Sequence, residues 1–181
     1  MTARPRRERI ETARLVLRKP GAADAEAMFS RYAGDPEVTR LLSWPTHRSV
    51  DDTRAFLELS DEEWRREAAG PYLIESREGG RLLGSTGLSF ETPSRAVTGY
   101  VLARDAWGFG YATEALAGMV ALAPELGVRR LYALCHPAHA ASTRVLEKCG
   151  FAREGLLRRH SEFPNLQPGP SDVLIYARVF D

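Results

Sequence analysis

The sequence contains little cysteine and no long apolar segment. Only 2 of its 181 residues are cysteines, and Cys135 and Cys149 both lie among apolar neighbours, which favours reduced, buried thiols over a disulfide or a nucleophile. Apolar runs are short and interrupted by charges, so we predict neither a membrane span nor a signal peptide and expect a cytoplasmic protein. The length predicts a single domain over residues 10–181, preceded by a basic tail over residues 1–9.

Charge of one sign is not in excess either. The 25 Lys and Arg residues balance 24 Asp and Glu residues, which gives a formal net charge of +1. This balance gives no reason to expect binding to nucleic acid or to a membrane surface. His136 and His139 follow Cys135 closely, but too few further ligands accompany them for a structural zinc site, so we predict no metal.

Two common phosphate-binding patterns are also absent. No Gly-Lys-Ser or Gly-Lys-Thr occurs, which excludes a Walker loop. A dinucleotide-binding pattern begins at Gly108, but its sixth position is Thr113, and the strand predicted next, over residues 130–135, carries no acid to hold a ribose. Sites for dinucleotides and nucleoside triphosphates are therefore poor fits.

A run of small residues is present where a predicted strand gives way to a helix. Gly108, Gly110 and Ala112 follow the extended residues 97–102 and open a helix with one apolar face. Small residues let the backbone approach a ligand, and a helix start offers free N–H groups at the positive end of the macrodipole. Glycines before a helix also form simple turns, but this arrangement suits a phosphate.

The rest of the pattern predicts an α/β (α+β) protein, in which helices flank a mixed sheet. The predicted strands cover residues 10–18, 71–77, 81–90, 96–102, 130–136, 151–159 and 171–180. Predicted helices begin at Asp24 and at Ser49 or Asp51, and two more cover residues 110–126 and 140–149. Gly84 and Gly87 indicate a bulge, and the prolines of residues 163–170 predict a fixed loop.

Two blocks resemble a known family. Residues 107–115, W-G-F-G-Y-A-T-E-A, resemble the acyl-CoA pyrophosphate loop of the GNAT superfamily of N-acetyltransferases, in the form typical of the RimJ/RimL branch of ribosomal-protein N-terminal acetyltransferases. Residues 139–151 resemble the Asn-x-x-Ser…Glu-Lys-x-Gly-Phe block of that branch, with His139 in place of Asn. The resemblance covers roughly residues 10–180. It implies the GNAT fold: a twisted, mostly antiparallel mixed sheet of about seven strands with about four helices, splayed after residues 96–102 so that CoA inserts there.

The resemblance implies acetyl-CoA as co-substrate and a primary amine as acceptor, on a polypeptide N-terminus or a small molecule. Backbone N–H groups of the loop would hold the pyrophosphate, and exposed strand backbone would pair with the pantetheine. The implied cofactor-binding residues are Val101, Leu102, Gly108, Phe109, Gly110, Tyr111, Ala112, Thr113, His139 and Ser142.

The catalytic groups are less well specified. Ser142 is expected either to cap its helix or to protonate the departing thiolate. Many relatives carry a Glu before the Gly-Tyr of the strand, where this sequence has Val97 and Thr98. Glu114 could act as a base or could complement the dipole of its helix. The candidate bases are His136, Glu114, Glu162 and a water chain.

The sequence leaves alternatives open for the residues that contact the amine acceptor and for the overall function. Candidate lining residues are Trp44, His47, Tyr100 and Phe163, although aromatic residues at such positions often belong to the core. Glu62, Glu63 and Glu67 offer acids for a polyamine, but charges on a helix usually form a solvated face. The chain is expected to be an N-acetyltransferase, as a monomer or homodimer. The competing hypothesis is a CoA-binding module that has lost catalysis, as the missing strand Glu and His139 would allow.

Overall fold

A computed structural model describes residues 4–181, so residues 1–3 of the predicted basic tail lie outside the described residues. Within that range, eight strands form one sheet in the order β1-β2-β3-β4-β5-β6-β8-β7. The strands are β1 Arg9–Glu11, β2 Leu15–Arg18, β3 Pro71–Ser76, β4 Leu82–Thr92, β5 Arg95–Leu102, β6 Arg130–Cys135, β7 Ala152–Glu162 and β8 Pro170–Val179. The helices are α1 Ala25–Met28, α2 Pro36–Thr39, α3 Val50–Glu67, α4 Tyr111–Glu125 and α5 Ala140–Lys148.

The sheet is mixed, as predicted. All neighbouring strands pair antiparallel except β5 and β6, which run parallel. The predicted helices over residues 110–126 and 140–149 are confirmed within one residue at each end by α4 and α5. Among the helices of residues 4–181, none is long and apolar enough to cross a bilayer.

The prediction of one strand over residues 10–18 is wrong, because this segment forms the hairpin of β1 and β2. Arg9 pairs with Arg18 across it, and the Thr12 N–H donates to the Leu15 carbonyl at 2.9 Å. The turn is fixed from outside by α4, since Glu114 accepts bonds from the Thr12 hydroxyl and the Arg14 N–H. The sheet consequently has one strand more than the seven expected.

The helical region after β2 is also more broken than predicted. Asp24 does not cap α1 with its side chain; its carboxylate instead accepts from the Gly21 N–H and binds Arg18. A π-helical turn, Phe29–Ala33, continues α1. The unpredicted helix α2 follows, with the Asp35 carboxylate accepting from the Glu37 N–H at 2.9 Å.

A bulge next to Gly84 confirms part of the sequence prediction. Ile74 pairs with Gly84 and Glu75 with Leu82, so β4 carries an extra residue at this point. A side chain on Gly84 would collide with the carbonyl oxygen of Val101 on β5. Glycine is therefore required here because two backbones approach each other closely. Gly87 lies in regular register and marks no bulge.

Apolar side chains cover both faces of the sheet. On one face, α4 buries Leu116 and Met119 in a cluster that Tyr100 of β5 also joins. On the other face, Met28 and Leu57 form a second cluster, which Val101 contacts. Consecutive residues of β5 thus face different layers.

Candidate active site

A gap opens in the middle of the sheet between β5 and β6. The two strands pair over only three positions, the last being Val97 with Tyr132. Beyond Val97, β5 continues to Leu102 paired only with β4, and β6 continues to Cys135 paired only with β8. The two parallel strands therefore diverge from an apex at Val97, which gives the splayed sheet that the sequence resemblance implied.

Part of the β5 backbone is directed into this gap. The Ala103 N–H donates to the Leu83 carbonyl at 2.8 Å, and bonded pairs alternate along an antiparallel ladder. The backbone of Val101 is thus turned toward β4, while that of Tyr100 and Leu102 is directed away from β4. The indole N–H of Trp107 occupies the Leu102 carbonyl at 2.9 Å. Of the two predicted pantetheine contacts, Val101 and Leu102, it is Leu102 whose backbone N–H is available to an extended ligand. The backbone of Tyr100 is available as well.

The glycine loop, residues 108–110, follows β5 in the sequence, after the strand leaves the open end of the gap. Gly108 and Gly110 have φ values of 84° and 80°, in the left-handed region, and α4 begins at Tyr111 directly after them. The first N–H groups of a helix have no partner within it. The loop and the start of α4 therefore present backbone donors at the positive end of the helix dipole, which suits an anion such as a pyrophosphate.

Arg14 brings a guanidinium group, which is ion-paired with Glu114, next to this loop. Its guanidinium donates to the Phe109 carbonyl at 2.9 Å and lies 4.8 Å from the centre of the Tyr111 ring. Arg14 comes from the turn between β1 and β2, so sequence reasoning about the loop missed it. Its position next to the loop makes it a candidate phosphate contact.

Glu114 does not lie in the gap. Its carboxylate accepts from the Thr12 hydroxyl at 2.6 Å, from the Arg14 N–H at 2.7 Å and from the Arg14 side chain at 2.7 Å. Burial opposes ionisation, but these bonds hold the pKa of Glu114 below its ordinary value. A carboxylate committed to three donors is a poor base, and its contacts instead fasten the β1–β2 turn to α4.

A cavity of about 500 Å³ occupies the gap and opens toward both layers of the protein. All four predicted acceptor residues line it, together with three of the predicted cofactor contacts, Val101, His139 and Ser142. The ring and hydroxyl side chains along it include Tyr32, Trp44, His47, Phe56, Tyr100, His139, Ser142 and Phe163. Three of the candidate bases, His136, Glu114 and Glu162, are not among the lining residues.

A pair of hydroxyl groups spans the α4/α5 side of the cavity. The side-chain oxygens of Tyr100 and Ser142 lie 2.8 Å apart, and the Tyr100 hydroxyl also donates to the Ser142 carbonyl at 3.0 Å. Burial raises the pKa of Tyr100 well above its ordinary value, so the phenol keeps its proton at neutral pH. The Ser142 hydroxyl bonds the Tyr100 hydroxyl rather than a backbone group of α5.

The histidines near the cavity differ in their partners. His139 occupies the N-cap position of α5 without a side-chain capping bond, and burial with the nearby His136 lowers its pKa. The rings of His136 and Phe163 pack edge to face with 4.9 Å between their centres, and His136 Nδ1 accepts the Ala138 N–H at 3.1 Å. His47 bonds the Thr53 hydroxyl at 2.8 Å through Nδ1, and burial lowers its pKa.

Asn165 joins two loops that border the cavity on the side of the predicted acceptor residues. Its amide group donates to the carbonyls of Thr39 and Trp44 at 2.8 Å each. Its oxygen accepts from the Thr46 N–H at 2.8 Å. The β7–β8 loop is thereby fixed to the segment between α2 and α3. We call this set of bonds the Asn165 clasp.

One carboxylate reaches the cavity from α3. Glu63 lines it and accepts a bond from the Ser89 hydroxyl of β4, whereas Glu62 is exposed and Glu67 binds Arg4 at 2.8 Å. Burial raises the pKa of Glu63. The sequence signal was the spacing of Glu63 seven residues after Phe56, which puts both on one helix face. Among residues 4–181, no three His, Cys, Asp or Glu side chains come together as a metal site.

Comparison with known proteins agrees with this geometry. The sequence matches the family described as "Acetyltransferase (GNAT) domain" over residues 14–152. It is 30% identical over 174 residues to the uncharacterized N-acetyltransferase YoaA of Bacillus subtilis (strain 168), a match that covers 94% of this chain and 96% of YoaA.

Solved structures share the fold at lower identity. RimL, the ribosomal L7/L12 alpha-N-protein acetyltransferase in complex with coenzyme A, has a TM-score of 0.85 at 24% identity, covering 96% of this chain and 99% of RimL. The microcin C7 self-immunity acetyltransferase MccE in complex with acetyl-CoA and AMP has a TM-score of 0.83 at 21% identity, covering 93% and 94%. With the family match over most of its length and the likeness to YoaA, this chain belongs to the GNAT family of acetyltransferases.

Proposed function

We propose that this protein transfers the acetyl group of acetyl-CoA to a primary amine with one positive charge, and that a polypeptide N-terminal α-amine is the favoured class. The observation that carries the proposal is the Tyr100–Ser142 hydroxyl pair beside the gap between β5 and β6. Acyl transfer from a thioester needs a proton donor for the departing sulfur, and this pair is suited to supply one.

The residues around the gap fit the parts of acetyl-CoA. The backbone of Tyr100 and the N–H of Leu102 suit the amide groups of the pantetheine arm, because both are directed away from β4. The N–H groups around Gly108–Gly110 and the Arg14 guanidinium suit the pyrophosphate. The RimL structure that contains coenzyme A and the MccE structure that contains acetyl-CoA support this use of the shared fold.

The chemistry divides into two proton transfers. A thiolate with an ordinary pKa of about 8.5 leaves more readily when a hydroxyl donates to it. The hydroxyls of Tyr100 and Ser142 are bonded to each other, so a proton given by one is replaced from the other. The amine must lose a proton before it attacks, and an α-amine with an ordinary pKa of about 8 demands less of a base than a lysine-like amine.

The lining of the cavity favours an acceptor with a single charge. Trp44, His47 and Phe56 form an aromatic group on the acceptor side, with 5.3 Å between the Trp44 and His47 ring centres. Glu63 is the one carboxylate among the described residues that line the cavity. A polyamine or aminoglycoside would need several acids, because each buried ammonium requires a partner.

The competing hypothesis of a CoA-binding module without catalysis is less well supported. It is motivated by the absence of a Glu from β5, where Val97 and Thr98 stand instead, and by His139. A module that only bound CoA would have no need of a bonded hydroxyl pair or a carboxylate in the same cavity. Catalysis accounts for both the hydroxyl pair and the carboxylate.

An acceptor panel with acetyl-CoA tests the proposal. Release of free thiol would be measured with a peptide that has a free N-terminus, with the same peptide blocked by acetylation, with a small aromatic monoamine, and with spermidine. We expect turnover with the free peptide, none with the blocked peptide, and less with spermidine. Tight CoA binding without product from any amine would contradict the proposal and favour the binding module.

A further inference from the structure

Ser89 of β4 marks the apex of the gap on the acceptor face. It is the register partner of Val97 on β5, and Val97 is the last β5 residue that pairs with β6. Side chains directly opposite each other in an antiparallel pair lie on the same face of the sheet. The Ser89 and Val97 side chains therefore lie together, at the point where the two parallel strands begin to separate.

Glu63 brings a carboxylate to this point from α3. Its Oε1 accepts the hydroxyl hydrogen bond of Ser89, and Glu63, Ser89 and Val97 all line the same cavity. Charged neighbours on its own helix are Arg66 and Glu67, and Glu67 is bound by Arg4. β4 faces Glu63 with the Ser89 hydroxyl, and the register partner of Ser89 on β5 is the apolar Val97. The carboxylate thus keeps one oxygen uncommitted within the acceptor cavity.

We infer that Glu63 is the general base that deprotonates the acceptor amine, with Ser89 as its positioning residue. This assignment rests on the proposed acetyl transfer. Glu63 takes one proton from the ammonium, and the neutral nitrogen attacks the thioester carbonyl carbon. The C–N bond forms and the C–S bond breaks. The Tyr100–Ser142 pair gives a proton to the sulfur and regains one from solvent, while Glu63 and the new amide nitrogen each release a proton to solvent.

The other ionisable groups near the cavity are less suited to this role. His136, Glu114 and Glu162 lie outside the cavity lining. His47 is held through Nδ1 by the Thr53 hydroxyl. His139 is the N-cap residue of α5, on the side of the sheet opposite to α3. The resemblance implies that CoA lies on this α5 side. Glu63 combines a free carboxylate oxygen with a position at the apex on the acceptor side.

Substitution of Glu63 by Gln tests the assignment against a matched control on the same helix. Glu62→Gln removes the same charge from an exposed neighbour. Steady-state rates would be measured with the best acceptor of the panel, together with the Kd for CoA and the thermal unfolding midpoint of each variant. We expect Glu63→Gln to lower kcat by about 10²- to 10⁴-fold, with CoA affinity and folding unchanged, and Glu62→Gln to match the wild-type protein.

The pH profile separates a base from a binding group. Because the pKa of Glu63 is raised by burial, protonation of Glu63 should reduce wild-type kcat as pH falls, and this acid limb should be absent in Glu63→Gln. A higher KM with unchanged kcat, or rates equal to those of Glu62→Gln, would overturn the base assignment while leaving acetyl transfer intact. If the wild-type protein acetylates no amine, the proposed function and this assignment both fall.

Discussion

The hydroxyl oxygens of Tyr100 and Ser142 lie 2.8 Å apart and join β5 to α5 across the cleft. Tyr100 belongs to the strand that diverges from β6, and Ser142 belongs to the first turn of the helix that follows β6. Their bond therefore links the two sides of the gap. Both side chains are largely buried, with Ser142 only 8% exposed, so a proton donated there is shielded from bulk water.

Removal of the Tyr100 hydroxyl should impair chemistry and leave CoA binding intact. Tyr100→Phe keeps the ring that packs in the core but removes the donor to the departing sulfur, so we expect kcat to fall by about 10²-fold. Tyr176→Phe is the control, because it removes another hydroxyl that contacts α5, through Glu147 at 3.0 Å. Thiol release and calorimetric CoA binding would be compared. Equal kcat values for the two variants would argue against a proton donor at Tyr100.

Gly110→Val should abolish CoA binding without unfolding the protein. A β-branched residue is strained by about 1–2 kcal/mol at the left-handed φ of 80°, and its side chain would occupy the space offered to the phosphates. Gly79→Val in the β3–β4 hairpin is a matched control, since Gly79 has a φ of 79° and open space around it. We expect similar losses of stability but loss of CoA binding only in Gly110→Val. Unchanged CoA affinity by calorimetry would contradict the loop assignment.

The Asn165 clasp should control acceptor binding. Asn165→Ala leaves the Thr46 N–H and the carbonyls of Thr39 and Trp44 without this partner, which should cost about 1–3 kcal/mol in the free energy of unfolding. The freed loops should raise KM for the acceptor and leave the Kd for CoA unchanged. Gln167→Ala, in the same loop but bonded to Ser171, provides the control. A rise in the CoA Kd instead would show that the clasp does not belong to the acceptor side.

The Glu114 contacts should make stability depend on pH. Bonds from Thr12 and Arg14 keep the folded-state pKa of Glu114 below its ordinary value despite burial. A lowered pKa contributes stability above the unfolded-state value, and this contribution is lost as pH falls through the folded-state pKa. We expect urea unfolding of Glu114→Gln to show a smaller loss of stability between neutral and acidic pH than the wild-type protein shows. Identical pH dependence in both proteins would contradict this account.

Local sequence patterns predicted the elements that form the cofactor side. The apolar spacing of α4, the glycines before it and the block around α5 all depend on neighbours close in sequence, and both helices end within one residue of the prediction. The bulge at Gly84 was also predictable, because glycine inside a strand pattern indicates such irregularity. The family resemblance supplied the order of strands that opens the gap.

Contacts between distant segments could not be predicted in the same way. The β1–β2 turn is held by Glu114, 100 residues from Arg14, so the sequence pattern alone suggested one continuous strand. Glu62, Glu63 and Glu67 looked alike as charges on a helix, and only the packing of α3 on β4 sets Glu63 against Ser89. The Asn165 clasp joins segments 119 to 126 residues apart, and nothing in the local sequence specifies its partners.

Determination of a crystal structure with acetyl-CoA bound tests the central claim most directly. The account predicts a pyrophosphate held by backbone N–H groups of residues 108–113, a pantetheine arm between β5 and β6, and the thioester sulfur beside the Tyr100 and Ser142 hydroxyls. A nucleotide bound elsewhere, with the gap between β5 and β6 closed by side chains, would contradict it.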